Sequence, residues 1–210
     1  MVRSFRSLFV LGFILISVAC TTPQTSVTTA SPAKVADTKA ALRDLWLGHI
    51  LGIRNVAVAT MDKNAAARES AEKAVVANAQ QIAQSIEPFY GKPASDKLFS
   101  LLAGHYGAIR DDLDATVAGN VAQQEAAIKA LTANAGEIST FLSGANPYLP
   151  KDAVMGLLTA HAAHHIQQFQ QLKSGEYAQE GETWTGMKKH IYVVADALTG
   201  ALAQQFPAKF

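Results

Sequence analysis

Leu45-Trp46-Leu47-Gly48-His49-Ile50-Leu51-Gly52-Ile53-Arg54 returns 56 residues later as Leu101-Leu102-Ala103-Gly104-His105-Tyr106-Gly107-Ala108-Ile109-Arg110. The leading leucine, the Gly-His pair and the Ile-Arg pair keep their places. Read outward, residues 41–90 and 97–146 are identical at 18 of 50 positions without a gap, with Ala77-Asn78-Ala79 and Ile82 returning as Ala133-Asn134-Ala135 and Ile138. Self-similarity at a fixed period of this size marks a duplicated supersecondary unit. A third and far more divergent copy, 153–202, keeps Leu157, Leu158 and His161 in register and places His190 where the others have Asn78 and Asn134.

Apolar residues recur within each copy at spacings of three and four, among Ala, Leu, Gln, Lys and Glu, which is the pattern of amphipathic helices. Breakers divide the chain into helical segments at about 37–61, 65–87, 93–118, 121–143, 150–173 and 182–205. Pro93 and Pro150 suit first helical positions and Asn120 an N-cap. The expected fold is therefore all-α, an antiparallel bundle of about six helices built from three 56-residue helical-hairpin repeats. In each hairpin the histidine precedes the turn by about as many residues as the Asn or His follows it, so at about 1.5 Å per residue the two stand at one height. His49, Asn78, His105, Asn134, His161 and His190 then form one polar layer on otherwise apolar faces.

Composition narrows the classes of function. The 210 residues carry 18 basic and 17 acidic side chains, and this balance argues against a nucleic-acid partner held by phosphate neutralisation. An apolar content of 49% supports a real core and argues against disorder. With Cys20 as the only cysteine, internal disulfides, cysteine zinc fingers and iron–sulfur clusters are excluded.

Residues 1–19 read as a signal peptide: Arg3 and Arg6 precede an apolar run, Leu8 to Ile16, too short to span a bilayer. Ser17-Val18-Ala19-Cys20 resembles the lipobox of bacterial lipoproteins, which implies cleavage before Cys20 and its lipidation. Ser17 stands where that motif usually has leucine, which leaves ordinary secretory cleavage or an uncleaved anchor open. Residues 20–35 form a Ser/Thr/Pro-rich tether, and 36–210 the helical bundle domain. The implied setting is the cell envelope, with the membrane as partner through the lipid anchor. In a Gram-negative host, Thr21 after the cysteine implies the outer membrane, facing the periplasm.

The polar layer carries the candidate chemistry. Imidazole is a favoured ligand for zinc, copper and iron, and bundle cores are common metal sites. The expected ligands are His49, His105, His161, His165 and His190 with Glu137, and Asn78 and Asn134 complete the layer. His161 and His165 stand at i, i+4 on one face; His164 lies one turn from His161. Asp196 is a further carboxylate candidate. Asp111, Asp112 and Asp114 read as a solvated face, with a hard-cation site as the alternative. Arg54 and Arg110, five residues after their histidines, read as flanking the core or pairing with acids such as Asp111 or Asp114, with an anion site as the alternative. No Glu-x-x-His, His-Glu-x-x-His or Cys-x-x-Cys-His motif is present, and no catalytic nucleophile or phosphate loop. This favours metal storage, sensing or protection over turnover. The alternative is a non-catalytic envelope lipoprotein with a protein partner, in which the His/Asn layer only sets packing register.

The segments Ala133-Asn134-Ala135-Gly136-Glu137-Ile138, Phe141-Leu142-Ser143, Ala145-Asn146-Pro147 and Gln205-Phe206-Pro207-Ala208-Lys209-Phe210 resemble an uncharacterised family of small bacterial helical proteins. The likeness extends over most of 41–210 and includes histidines at the places of His49, His105, His161 and His190. Some members carry a glycosyltransferase label, which implies a substrate class without a motif here. His164 and His165 depart from the family pattern.

Overall fold

Long stretches of good helix formers, interrupted only where a cap or proline intervenes, leave the backbone few alternatives to helix. The computed structural model describes residues 29–210. The expected signal peptide and the Cys20 lipidation site lie outside the described residues. Among the described residues the chain is all-α, without a strand. Its elements are α1 (Pro32–Met61), α2 (Ala65–Gln84), α3 (Glu87–Tyr90), α4 (Lys92–Ala118), α5 (Val121–Ala145), α6 (Lys151–Ser174) and α7 (Tyr177–Gln205), followed by a 3-10 turn, Pro207–Lys209.

Turn chemistry sets the breaks. Asn64 and Asn120 cap α2 and α5 by accepting from the backbone N–H groups of Ala67 and Gln123. Left-handed residues stand just before or just after the corresponding boundaries at Lys63 (φ 54°), Gly119 (φ 70°) and Gly175 (φ 72°). Glycine adopts this conformation without the Cβ penalty; Lys63 does not. Two boundaries differ from the sequence expectation. Helix α1 begins at Pro32, inside the expected tether, because Pro32 suits a first turn and Val35 already packs on the core. Helix α7 begins at Tyr177, running through Gly181, because its first turn carries Glu180 into a buried ion pair with Arg54.

Six long helices pack as a closed ring: α1 on α2, α2 on α4, α4 on α5, α5 on α6, α6 on α7, and α7 back on α1. Helices α1, α4 and α6 also touch one another, so the three that carry His49, His105 and His161 meet in the middle. One core cluster, built around Ile53, Ile109, Leu113 and Phe169, lies on one side of the histidines. Two others, around Trp46, Ile50, Met187 and Ile191 and around Leu101, Ile138 and Val154, lie on the other. The short α3 closes that end: Tyr90 donates to Gln205 and accepts from Asn146, at 2.6 and 2.9 Å, and Phe89 packs on Phe206 and Phe210.

Candidate metal centre

Three cross-helix hydrogen bonds fix the layer. Asn78 Nδ2 donates to the Leu45 carbonyl at 3.0 Å, Asn134 Nδ2 to that of Leu101 at 3.0 Å, and His190 Nε2 to that of Leu157 at 2.9 Å. Donors and acceptors alike step by 56 residues. Gly48 and Gly104 leave room for the two asparagines, since a Cβ there would stand 3.1 and 3.2 Å from the amide nitrogens.

Inside this frame His49, His105, His161 and His165 are all buried, and His165 is wholly so. His49, His161 and His165 each offer one ring nitrogen, and these three atoms lie within 4.8 Å of one another. The i, i+4 spacing on α6 stacks His161 and His165 edge to face, 4.6 Å between ring centres, and α1 brings the His49 ring to 5.5 Å from His161. Metal–nitrogen bonds of about 2.0–2.1 Å in tetrahedral array place donor atoms roughly 3.3 Å apart. Modest rotations of the rings would close the trio on one ion.

Their electrostatics suit that role. Burial pushes His49 down to about 3, assisted by the charge of His105, and burial pushes His105 down to about 4 against the opposing hydrogen bond it donates to Asn134. His161 and His165 are held well below the ordinary imidazole range by burial and by their neighbouring histidines. At neutral pH the rings are therefore uncharged, the state in which a nitrogen lone pair can bind a metal. Among the described residues both nitrogens of His161 and of His165, with His49 Nδ1 and His105 Nε2, are buried without a protein hydrogen-bond partner. Leaving such atoms unsatisfied costs about 1–3 kcal/mol each. A group of orphaned neutral imidazoles fits a transition metal such as zinc, copper or iron, and not calcium or magnesium, which prefer oxygen.

His105 stands beside the trio, its ring stacked 6.0 Å from that of His161. Because Asn134 spends its amide N–H on Leu101, its oxygen faces His105 Nδ1 at 3.1 Å, and that nitrogen must donate. The lone pair is thereby assigned to Nε2, the tautomer control familiar from metal-bound histidines. The remaining candidates are placed elsewhere. His190 is tied to the Leu157 carbonyl and stacks on His164 at 5.4 Å, outside the trio. Glu137 is exposed on α5, in a surface depression with Lys97 and Lys151. Asp196 is claimed by Arg43 and Lys39.

Two features escaped the sequence reading. Asp112, grouped there with Asp111 and Asp114 as a solvated face, is fully buried with neither oxygen partnered among the described residues, and burial raises it to about 6 against a smaller opposing pull from the nearby Gln124 amide. Glu180 was not singled out; it holds Arg54 through two bonds of 2.8 Å and accepts from Gln168 at 3.0 Å. The Arg54-Glu180 pair explains the inward lean of Arg54 without an anion. Compared with known proteins, the chain matches no family model, no curated protein and no solved structure.

Proposed function

We propose that this chain is a lipid-anchored protein of the cell envelope that binds a transition metal ion, zinc, copper or iron, through His49, His161 and His165, with His105 held alongside. The supporting observation is the convergence of three neutral, unpartnered ring nitrogens within 4.8 Å. Storage, sensing or protection suits a buried all-imidazole site better than turnover, which needs a substrate path to the metal. The Cys20 anchor, a Gram-negative outer-membrane location and an envelope protein partner belong to this proposal, as does kinship with the uncharacterised helical family. So does triplication of a 56-residue hairpin, which the three equivalent hydrogen bonds to Leu45, Leu101 and Leu157 support.

Elemental analysis of the purified, untagged protein tests the metal. Stoichiometric zinc, copper or iron that is lost in His161→Ala and His165→Ala is expected. A metal-free protein whose melting ignores all three ions and chelator would sink the reading. A second reading, in which the layer only sets packing register, is favoured by one observation: Asn78, Asn134 and His190 satisfy neighbouring-helix carbonyls without any ion. In that case, histidine substitutions change stability equally with and without metal.

A further inference from the structure

On the α3 side of the histidine layer the core is left unfilled. A cavity of about 60 Å³ lies among the helices there. Its wall includes Trp46, Leu102 and Leu158, each three residues before a layer histidine, and Ile82, Ile138 and Val194 from the helices packed outside them. Each triplet steps by 56 residues, so the void lies where all three hairpin-like pairs contribute alike. Three lining side chains carry a polar tip. Ser85 Oγ donates to the Ile82 carbonyl at 2.6 Å, and Tyr90 is bound to Gln205 and Asn146. Trp46 Nε1 has no acceptor among the described residues, but it is closed off from the void.

Those properties define an occupant. A buried water needs about two to four polar partners, and this wall offers no accessible free one. A charged group would lose its hydration with nothing to replace it. Space limits size as well: a single water needs about 10–15 Å³ on this scale, and an engineered benzene-binding cavity is about 150 Å³. We infer that the cavity is a binding site for a small, uncharged, apolar molecule of about two to four heavy atoms. Binding at this site requires no metal and is independent of the metal reading.

The test uses chelator-treated protein with ¹³C-labelled methyl groups. Xenon and cyclopropane probe the apolar space. Saturable shifts of the methyl signals of the cavity-lining leucines, isoleucines and Val194 are expected with both. Filling the space with Leu102→Phe, or with the milder Ala197→Val at the cavity wall should Leu102→Phe fail to fold, is expected to abolish saturation. No saturable response to either probe overturns the inference. So does a response that survives in the folded filled variant.

Discussion

Replacing His161 with leucine sets the two readings of the histidine layer against each other. His161 is almost wholly buried, has neither ring nitrogen hydrogen-bonded, and touches the rings of His49, His105 and His165. In the metal-free protein, leucine removes two unsatisfied polar atoms worth about 1–3 kcal/mol each. Imperfect refilling of the ring's space returns about 1–1.5 kcal/mol. At about 1.5–2 kcal/mol per atom, a net gain of roughly 1.5–3 kcal/mol remains, and for a chain of this size that raises Tm by about 3–12 °C. Zinc at about a thousand times Kd should stabilise the wild type by about 4 kcal/mol and the variant not at all. The melts therefore change order: the variant melts above the wild type in EDTA and below it in zinc. Differential scanning calorimetry in both buffers reads this directly. A variant less stable than the wild type in EDTA, or one that keeps the zinc shift, would refute the reasoning.

Acid should destabilise the metal-free protein. His49 at about 3, His105 at about 4, and His161 and His165 held well below the ordinary imidazole range stay neutral in the fold, while the unfolded chain protonates below about 6.5. Stability is thus fully present above that pH and falls beneath it, by up to about 1.4 kcal/mol per pH unit for each ring. Urea midpoints at pH 7.5 and 5.5 check this, and equal midpoints contradict it. Asp112 has the opposite sign: its carboxyl is raised from 3.8 to about 6, so its penalty builds as pH rises between those values and is complete above them; Asp112→Asn should stabilise most at pH 8, about half as much at pH 5, and little below about pH 4 in the same urea assay. Arg54→Met strands the buried Glu180 carboxylate and should cost about 3 kcal/mol by urea denaturation, the low end for a broken buried pair because Arg54 is one-third exposed. Lys63→Gly removes a left-handed lysine at a position whose counterparts are Gly119 and Gly175, and should raise stability by about 0.5–1 kcal/mol in thermal melts.

Helices were legible because their information is local: the three-and-four spacing around His49, His105 and His161 needs no partner to be read. What escaped depends on partners distant in sequence. Gly181 reads as a break, yet Arg54, 126 residues away from Glu180, holds that turn in α7. Asp111, Asp112 and Asp114 read as one acidic face, but successive residues turn about 100° around a helix, and Asp112 alone turns inward. Glu137, one turn from Asn134, was expected to reach the layer and is exposed instead, since three residues fall about 60° short of a full circle. The histidine layer was readable from spacing, whereas choosing His165 over His190 required ring orientation. A cavity leaves no mark in composition at all.

The 56-residue equivalence breaks at the candidate metal ligands themselves. If the layer served packing alone, the bond between His105 Nδ1 and Asn134 would be expected at the equivalent pair, His49 and Asn78. There it is missing: His49 Nδ1 and Asn78 Oδ1 are both buried and unpartnered, although Asn78 still holds the Leu45 carbonyl. The His49 ring lies instead with His161 and His165. His165 occupies the position that is isoleucine at 53 and 109, so an apolar place has become a donor exactly one turn above His161. Two changes that each leave buried nitrogens unsatisfied cost free energy separately, by about 1–3 kcal/mol per atom. Together they bring three ring nitrogens within 4.8 Å of one another, and an ion bound there would offset the cost of both.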